Sequence, residues 1–409
     1  MGAVNITYSI PYVVCMLAFL GLCFWEFRLL KNEQDVQIVR ISTNCLYLIF
    51  FGLRGFVLTD WYQYYAIFEN LPTIWDGGLA GIKDDLVLEM YETDENLGVS
   101  GMEPLFMYLT IALKSIVPNY FVWVFINTAF DLLILDGFIR RYSSYYSFSI
   151  LLFFVFGGLI IQINLMRNIK ALLLFLVSIR FIEERRFIPF LLLNLLGLGF
   201  HTTALFFFPL YFVLHREISV RWMWIILIIG LSLVLFQVQY IKPILLKLAD
   251  MIGGRLSVQI KIYFALDFYS QAYGLSLGFL ERAFTYVVII INYDKLIKQN
   301  RSNVIFINVF TIYFIVNSFF TEMFIIVDRV SMLFIFAYWI LYAELILLVK
   351  DKVLKWFWFS LVIFYGALKL IVMNSNIFSK YDNLLFGIES YEERSQTRYH
   401  EIDNFRQVE

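Results

Sequence analysis

Apolar runs long enough to cross a bilayer recur along almost the whole of this 409-residue chain, and that recurrence limits the folds open to it. A helix needs about 20 residues to cross roughly 30 Å of hydrocarbon. Runs of that order lie at 7–27, 41–58, 119–139, 146–163, 166–182, 187–214, 222–240, 276–294, 303–321, 324–349 and 354–373. Hydrophobic residues fill 61% of the positions and charged residues only 16%, a balance that no soluble domain of this length sustains. The expectation is an all-α polytopic membrane protein with about 12 transmembrane helices. It forms a single transmembrane domain over residues 1–409. The 187–214 run reads as two short helices meeting at His201. The 104–117 run, short and containing Lys114, reads as a re-entrant or interfacial helix. No internal repeat or separate soluble domain is visible.

Composition narrows function further. A net charge of −1 supplies no basic field for nucleic acid. The 44 Phe and 26 Tyr fit helix packing and headgroup anchoring better than a cofactor box. Cys15, Cys23 and Cys45 lack metal-ligand spacing and read as packing residues. With no HxxxH, CxxC or DxD cluster, Walker motif or dinucleotide fingerprint, nothing calls for a metal or a cofactor. The first run has neither a basic n-region nor a cleavage site, and Arg28 and Lys31 follow it, as in a retained first span.

Orientation follows from lysine and arginine in the short loops. Arg28, Lys31 and Arg40, then Arg140 and Arg141, Arg185 and Arg186, Arg216 and Arg221, Lys295, Lys298 and Arg301, and Lys350, Lys352 and Lys355 can all be cytoplasmic at once. That holds if 104–117 does not span and 187–214 crosses twice. Segments 59–103 and 241–275 then face outward, and the polar tail 374–409 packs on the outer surface. From Asp60 to Glu95 the first of these carries nine acidic residues against Lys83 alone.

A charge near the bilayer interior costs at least a few kcal/mol, so each needs a partner, a cavity or a role. Lys369, Glu344 and Arg180 lie near enough to span ends to snorkel. Asp131 and Asp136 read as members of structural ion pairs. The rest gather toward the outer face. Arg54 lies one turn inside the second span, followed by Asp60, Trp61, Tyr62, Tyr64 and Tyr65. Glu103 starts the short helix, Arg167 and Lys170 open another, and His201 and Thr202 sit at the break after Gly197 and Gly199. Glu281 and Arg282 lie one turn into a span, Asp328 and Arg329 begin a late one, and Arg255 lies in the second outward segment. Taken singly, each of these also fits ordinary helix-end polarity, and a lone histidine is more often a packing residue, although His201 falls at a Gly-rich break on the side where the arginines gather. As a set they favour a site, because arginine is the wrong sign for the outer side and its planar fork grips phosphate oxygens. The ligand that fits is an anionic lipid headgroup entering from the bilayer and carrying a sugar.

Several short motifs strengthen this reading. Phe51-Gly52-Leu53-Arg54-Gly55, Thr59-Asp60-Trp61-Tyr62-Gln63-Tyr64-Tyr65, Glu103-Pro104-Leu105-Phe106, Arg167-Asn168-Ile169-Lys170-Ala171, Gly199-Phe200-His201-Thr202 and Asp328-Arg329 occur in an order that resembles the EpsG-like branch of the Wzy-type polysaccharide polymerases. Asn168 and Lys170 depart from the family's usual Gln and small residue after the arginine, and the acidic stretch from Asp84 to Glu95 is unusual. The resemblance implies an all-helical, GT-C-like glycosyltransferase in the bacterial inner membrane, with its active site facing the periplasm. It would transfer a glycan from undecaprenyl diphosphate to a lipid-linked repeat unit, making O-antigen, capsule or exopolysaccharide. A Wzz-type chain-length regulator is an implied partner besides the bilayer and the donor and acceptor lipids.

In that chemistry Arg54, Arg167 and Arg329 stabilise the departing phosphate, and His201, Asp60 or Glu103 deprotonates the acceptor, with His201 preferred. Asp328, Arg282, Arg255 and Lys170 join the substrate-binding set, and Trp61, Tyr62, Tyr64 and Tyr65 stack on sugar rings. The rival readings are a lipid-linked oligosaccharide flippase of the Wzx type, which should show pseudo-symmetric halves, and a membrane acyltransferase, whose histidine needs a neighbouring carboxylate.

Overall fold

The computed structural model describes residues 5–29, 33–76, 102–265 and 274–406. Among them every regular element is helical, and the only strand-like pairing is the pair of bridges Arg54–Asn383 and Asn383–Gly387. In chain order the helices are α1 (Ile10–Leu29), α2 (Glu33–Tyr47), α3 (Trp61–Asn70), α4 (Pro104–Ile116), α5 (Tyr120–Tyr142), α6 (Tyr146–Phe153), α7 (Leu159–Ile163), α8 (Met166–Glu183) and α9 (Phe187–Leu198). They continue with α10 (Leu210–Val213), α11 (Val220–Leu235), α12 (Ile241–Ile252), α13 (Gly254–Ala265), α14 (Leu277–Ile291), α15 (Tyr293–Gln299), α16 (Asn303–Phe319), α17 (Phe324–Met332) and α18 (Phe336–Leu348). The last two are α19 (Lys352–Met373) and α20 (Tyr391–Arg406).

The chain is a polytopic all-α membrane protein. Ile6–Arg28, Tyr120–Tyr142, Tyr146–Ile163 and Lys352–Met373 are long and apolar enough to cross a membrane, and the pair Ile326–Met332 and Phe336–Leu348, bent by 52°, adds a broken span. By helix length and composition, four or five crossings are shown among the described residues.

The helices start where local chemistry satisfies their first amides. Asn119 Oδ1 accepts from Phe121 and Val122 N–H to open α5, Asp351 accepts from Leu354 N–H to open α19, and Pro104 begins α4, where a missing N–H costs nothing. Two buried glutamates do the same from a distance. Glu26 accepts from the Ser147 and Phe148 amides at the start of α6, and Glu322 from the Tyr240, Ile241 and Lys242 amides at the start of α12. A carboxylate at a helix N-terminus is held by those donors and by the helix dipole.

The helices form two compact units, residues 1–208 with 351–409 and residues 209–350. In the first, Lys170 Nζ on α8 meets Asp131 Oδ1 on α5 at 2.6 Å, both buried, while Gln162 donates to the other Asp131 oxygen and Tyr47 to Gln162. Asp136 takes Arg140 at 2.9 Å and Arg40 at 3.5 Å. The expected pairing of both aspartates is observed. In the second unit, Glu281 on α14 accepts from Thr285, Tyr338 and Tyr342. Glu344 is buried against Gln299 instead of snorkelling, because the amide of Gln299 gives it a donor inside the unit. Cys15 and Cys23 are buried, whereas Cys45 is exposed.

The second expected span is corrected. Helix α2 starts earlier, at Glu33, and after a π-helical turn over Leu48–Gly52 the chain runs irregularly from Leu53 to Asp60. Arg54 thus lies past the helix end and not inside it. The backbone there turns to the C-terminal segment for its bonds: Gly55 N–H donates to Asp382 O at 2.9 Å and Leu384 N–H to Leu53 O at 2.8 Å. The break expected at His201 is present, between α9 and a 3-10 turn over Thr202–Phe207.

Candidate active site

The site grows from three helix ends in the first unit. Glu103 is the residue before α4, Arg167 the second residue of α8, and His201 the residue before the 3-10 turn that follows α9. The α4 start is stitched to the α9 break because Leu105 N–H donates to Gly199 O at 2.9 Å, with Gly199 so close that a Cβ would lie 2.5 Å from Leu105 Cδ1. Only glycine allows that approach.

The stitch brings the three side chains together. Arg167 Nη1 donates to Glu103 Oε2 at 3.0 Å, and Glu103 Oε1 accepts from Thr202 N–H at 3.3 Å and lies 3.9 Å from His201 Nε2. His201 Nδ1 lies 3.2 Å from Thr203 N and 2.9 Å from Thr203 Oγ1; with Nδ1 accepting from the amide, the neutral imidazole carries its proton on Nε2, toward Glu103. Thr203 Oγ1 donates to Asn168 Oδ1, tying the break to α8. The carboxylate partner that the sequence left His201 without is Glu103.

Asp60 joins through the turn before α8. Asn164 Oδ1 accepts from both Thr59 and Asp60 N–H, and Tyr64 donates to Asn164 O at 3.1 Å. Burial pushes the Tyr64 hydroxyl up to about 12, with Arg167 beside it pulling the other way, so Tyr64 stays protonated and a donor. Arg54 lies deeper, 4% exposed, donating to Phe51 O, Thr128 Oγ1 and Met166 Sδ, one residue from Arg167. It forms no ion pair among the described residues.

Other expected residues are placed differently. Lys170 is committed to Asp131 and lies with the buried pair, not with Glu103. Trp61 and Tyr64 are buried in an aromatic cluster with Phe56, Phe106, Tyr120 and Trp123, which closes their faces to a sugar. Tyr65 is stacked on Tyr391 at 4.5 Å and Tyr62 lies under Arg398 at 4.4 Å. Arg282, Asp328 and Arg329 belong to the second unit. Arg282 Nε is buried there without a hydrogen-bond partner beside Tyr313, Tyr338 and Glu281, while Asp328 and Arg329 are exposed. The Arg255 side chain, like residues 77–101 with Lys83 and most of the acidic stretch, lies outside the described residues. Asn164, Thr203, Asn168, Tyr391 and Arg394 were missed. Short polar residues beside Arg167 and His201 were the available signal for the first three.

Helices of membrane-crossing length and an acid, an arginine and a histidine gathered at helix ends define a multi-pass membrane protein with a polar cluster where three helix ends meet. The chain belongs to the EpsG family, whose profile matches residues 38–384, a stretch that includes all the cluster residues. No curated protein and no solved structure matches it.

Proposed function

We propose that this protein is a polysaccharide polymerase, a glycosyltransferase that moves a glycan from undecaprenyl diphosphate to a lipid-linked repeat unit at the periplasmic face of the inner membrane. The observation that carries the reading is the Glu103–Arg167 pair, with His201 and the Thr202 amide closing on the same carboxylate, in a chain of the EpsG family.

The chemistry divides the roles. The acceptor oxygen forms a bond to the donor's anomeric carbon as the bond from that carbon to the diphosphate oxygen breaks, and the acceptor proton passes to the base. Glu103 is the base in preference to His201, because Nδ1 of the imidazole is taken by the Thr203 amide and Nε2 carries the proton. His201 orients Glu103 and supports its charge. Arg167 spends one N–H on Glu103 and keeps others for the leaving diphosphate, whose charge grows as the bond breaks. Arg54, beneath Met166, adds positive potential from below. Arg282 and Arg329, with Asp328 and Arg255, are assigned to the second lipid diphosphate. The architecture is read as GT-C-like with about 12 crossings, the shorter apolar helices Phe187–Leu198, Val220–Leu235 and Asn303–Phe319 adding to the four or five long ones.

The 3.9 Å approach of His201 to Glu103 also fits a membrane acyltransferase. Family membership weighs for the glycan reading. Analysis of lipid-linked glycans in a strain lacking the protein separates the possibilities. A single accumulated repeat unit with no polymer supports the polymerase, unchanged polymer lacking acyl groups supports the acyltransferase, and arrest before translocation supports a flippase.

A further inference from the structure

Leu58 holds a left-handed backbone, φ 65°, although it is not glycine. A branched side chain stays in that region only where surrounding bonds impose it. Two bonds do so: Leu58 N–H donates to Phe378 O at 2.8 Å, and Leu58 O accepts from Trp61 Nε1 at 3.0 Å. The next two amides, Thr59 and Asp60, are those that Asn164 holds. The strained residue therefore joins two anchors, the C-terminal segment on one side and the turn before Arg167 on the other.

The C-terminal segment grips the whole approach to this point. Asn383 bridges Arg54 and donates from Nδ2 to Ile49 O at 2.8 Å. A Cβ on Gly55 would lie 2.9 Å from Asp382 Cβ and from Ile388 Cγ2, so the two segments meet at backbone distance. Arg394, 3% exposed, fastens the arrangement: Nε donates to Phe56 O at 2.9 Å, Nη1 to Glu389 Oε2 at 3.0 Å and Nη2 to Lys380 O. A buried guanidinium with one partner on residues 53–58 and two on the C-terminal segment ties the two segments into one geometry. Arg394 and α20 lie beyond residue 384, where the family match ends.

We propose that Arg394 is a positioning residue of the site: by locking the C-terminal segment onto residues 53–58, it imposes the left-handed Leu58 that aims Asp60 at Asn164 and seats Arg54 beneath Met166. The activity arm of this inference rests on the glycan-transfer reading, whereas its structural arm does not.

The test uses the full chain in lipid nanodiscs, with Arg394→Ala, Arg394→Lys and Arg394→Ala combined with Leu58→Gly. Hydrogen exchange is followed over residues 53–60, and kcat and KM for transfer onto a lipid-diphosphate repeat unit are measured. Arg394→Ala should speed exchange at Gly55 and Leu58 and lower kcat by about tenfold or more, as misplaced reacting groups do. Arg394→Lys should fall between. Adding Leu58→Gly should recover most of the lost kcat, since glycine takes the left-handed region without steric cost, a rescue that a merely structural tail would not show. If Arg394→Ala does not fold, Glu389→Gln, which keeps an acceptor but removes the charge facing Arg394 and Lys380, should shift exchange in the same direction by less. Unchanged exchange in the folded variant overturns the proposal. So does faster exchange with wild-type kcat, or an equal loss with and without Leu58→Gly. If the wild type transfers no glycan, the functional reading fails, and the exchange data alone decide whether Arg394 locks the loop.

Discussion

Glu103 and Arg167 stand 64 residues apart in the chain and meet at 3.0 Å, the arginine donating to one carboxylate oxygen while the Thr202 amide donates to the other. The pair keeps the carboxylate oriented and leaves most of the guanidinium fork for an anion. Glu103→Gln keeps the shape and removes the base, and a general base is worth roughly 100-fold or more. Polymer length on complementation of a deletion strain should collapse for Glu103→Gln. Arg167→Lys should also fail, because an ammonium cannot reproduce the planar fork. Long-chain polymer from either variant would contradict these roles.

Gly199 offers a steric test of the same geometry. A Cβ there would lie 2.5 Å from Leu105 Cδ1 and 2.6 Å from Leu105 Cγ, so Gly199→Ala must displace Leu105 and with it the α4 start that carries Glu103. Transfer should fall by about tenfold or more, the scale of a small misplacement. Trimming the obstacle with Leu105→Ala in the same chain should restore part of it. Equal activity of the single and double variants would remove the stitch from the account.

The buried Lys170–Asp131 pair should report on stability. Removing one partner of such a pair typically costs about 3–5 kcal/mol, whereas replacing both by apolar residues is often neutral. Thermal unfolding in detergent should show Lys170→Ala strongly destabilised and Lys170→Met with Asp131→Leu close to wild type. If the double variant folds well yet transfers nothing, Lys170 belongs to the chemistry after all.

Acid should act on the C-terminal segment through two opposed carboxyls. Burial works against Glu389, but the hydrogen bond from Lys380 and the charge of Arg394 hold its carboxyl below the ordinary 4.5. A depressed carboxylate lends stability that is present above 4.5 and lost as pH falls through the lower folded value. Asp382 is raised above 3.8, chiefly by burial, so its contribution is present below 3.8 and lost as pH rises through the folded value. With Asp382→Asn, protease protection of residues 375–406 should fall steadily on acidification below pH 4.5. With Glu389→Gln that loss should disappear. The same acid profile in both variants would show that neither carboxyl governs docking.

Much of this was legible in residue order. Apolar length located α5, the α6–α7 run and α19 within a few residues, and the glycines before His201 announced the break between α9 and its 3-10 turn. The pairing of Asp131 and Asp136 followed from the cost of charge in lipid. What the sequence hid were meetings across distance. His201 acquires Glu103 only because Gly199 lets α4 approach, and nothing local in either segment encodes that contact. Tyr62 and Tyr65 read as open sugar platforms because α20, which covers them, lies more than 300 residues away. Arg54 was assigned to a helix because hydropathy does not register that residues 53–58 would pair with a C-terminal segment instead.

Whether Glu103 and Arg167 drive polymerisation is decided by transfer with the purified chain in lipid nanodiscs supplied only with undecaprenyl-diphosphate-linked repeat unit. A ladder of lengthening lipid-linked glycans from the wild type, absent with Glu103→Gln and with Arg167→Ala, is the predicted result. No ladder from the wild type, or undiminished ladders from both variants, would contradict it.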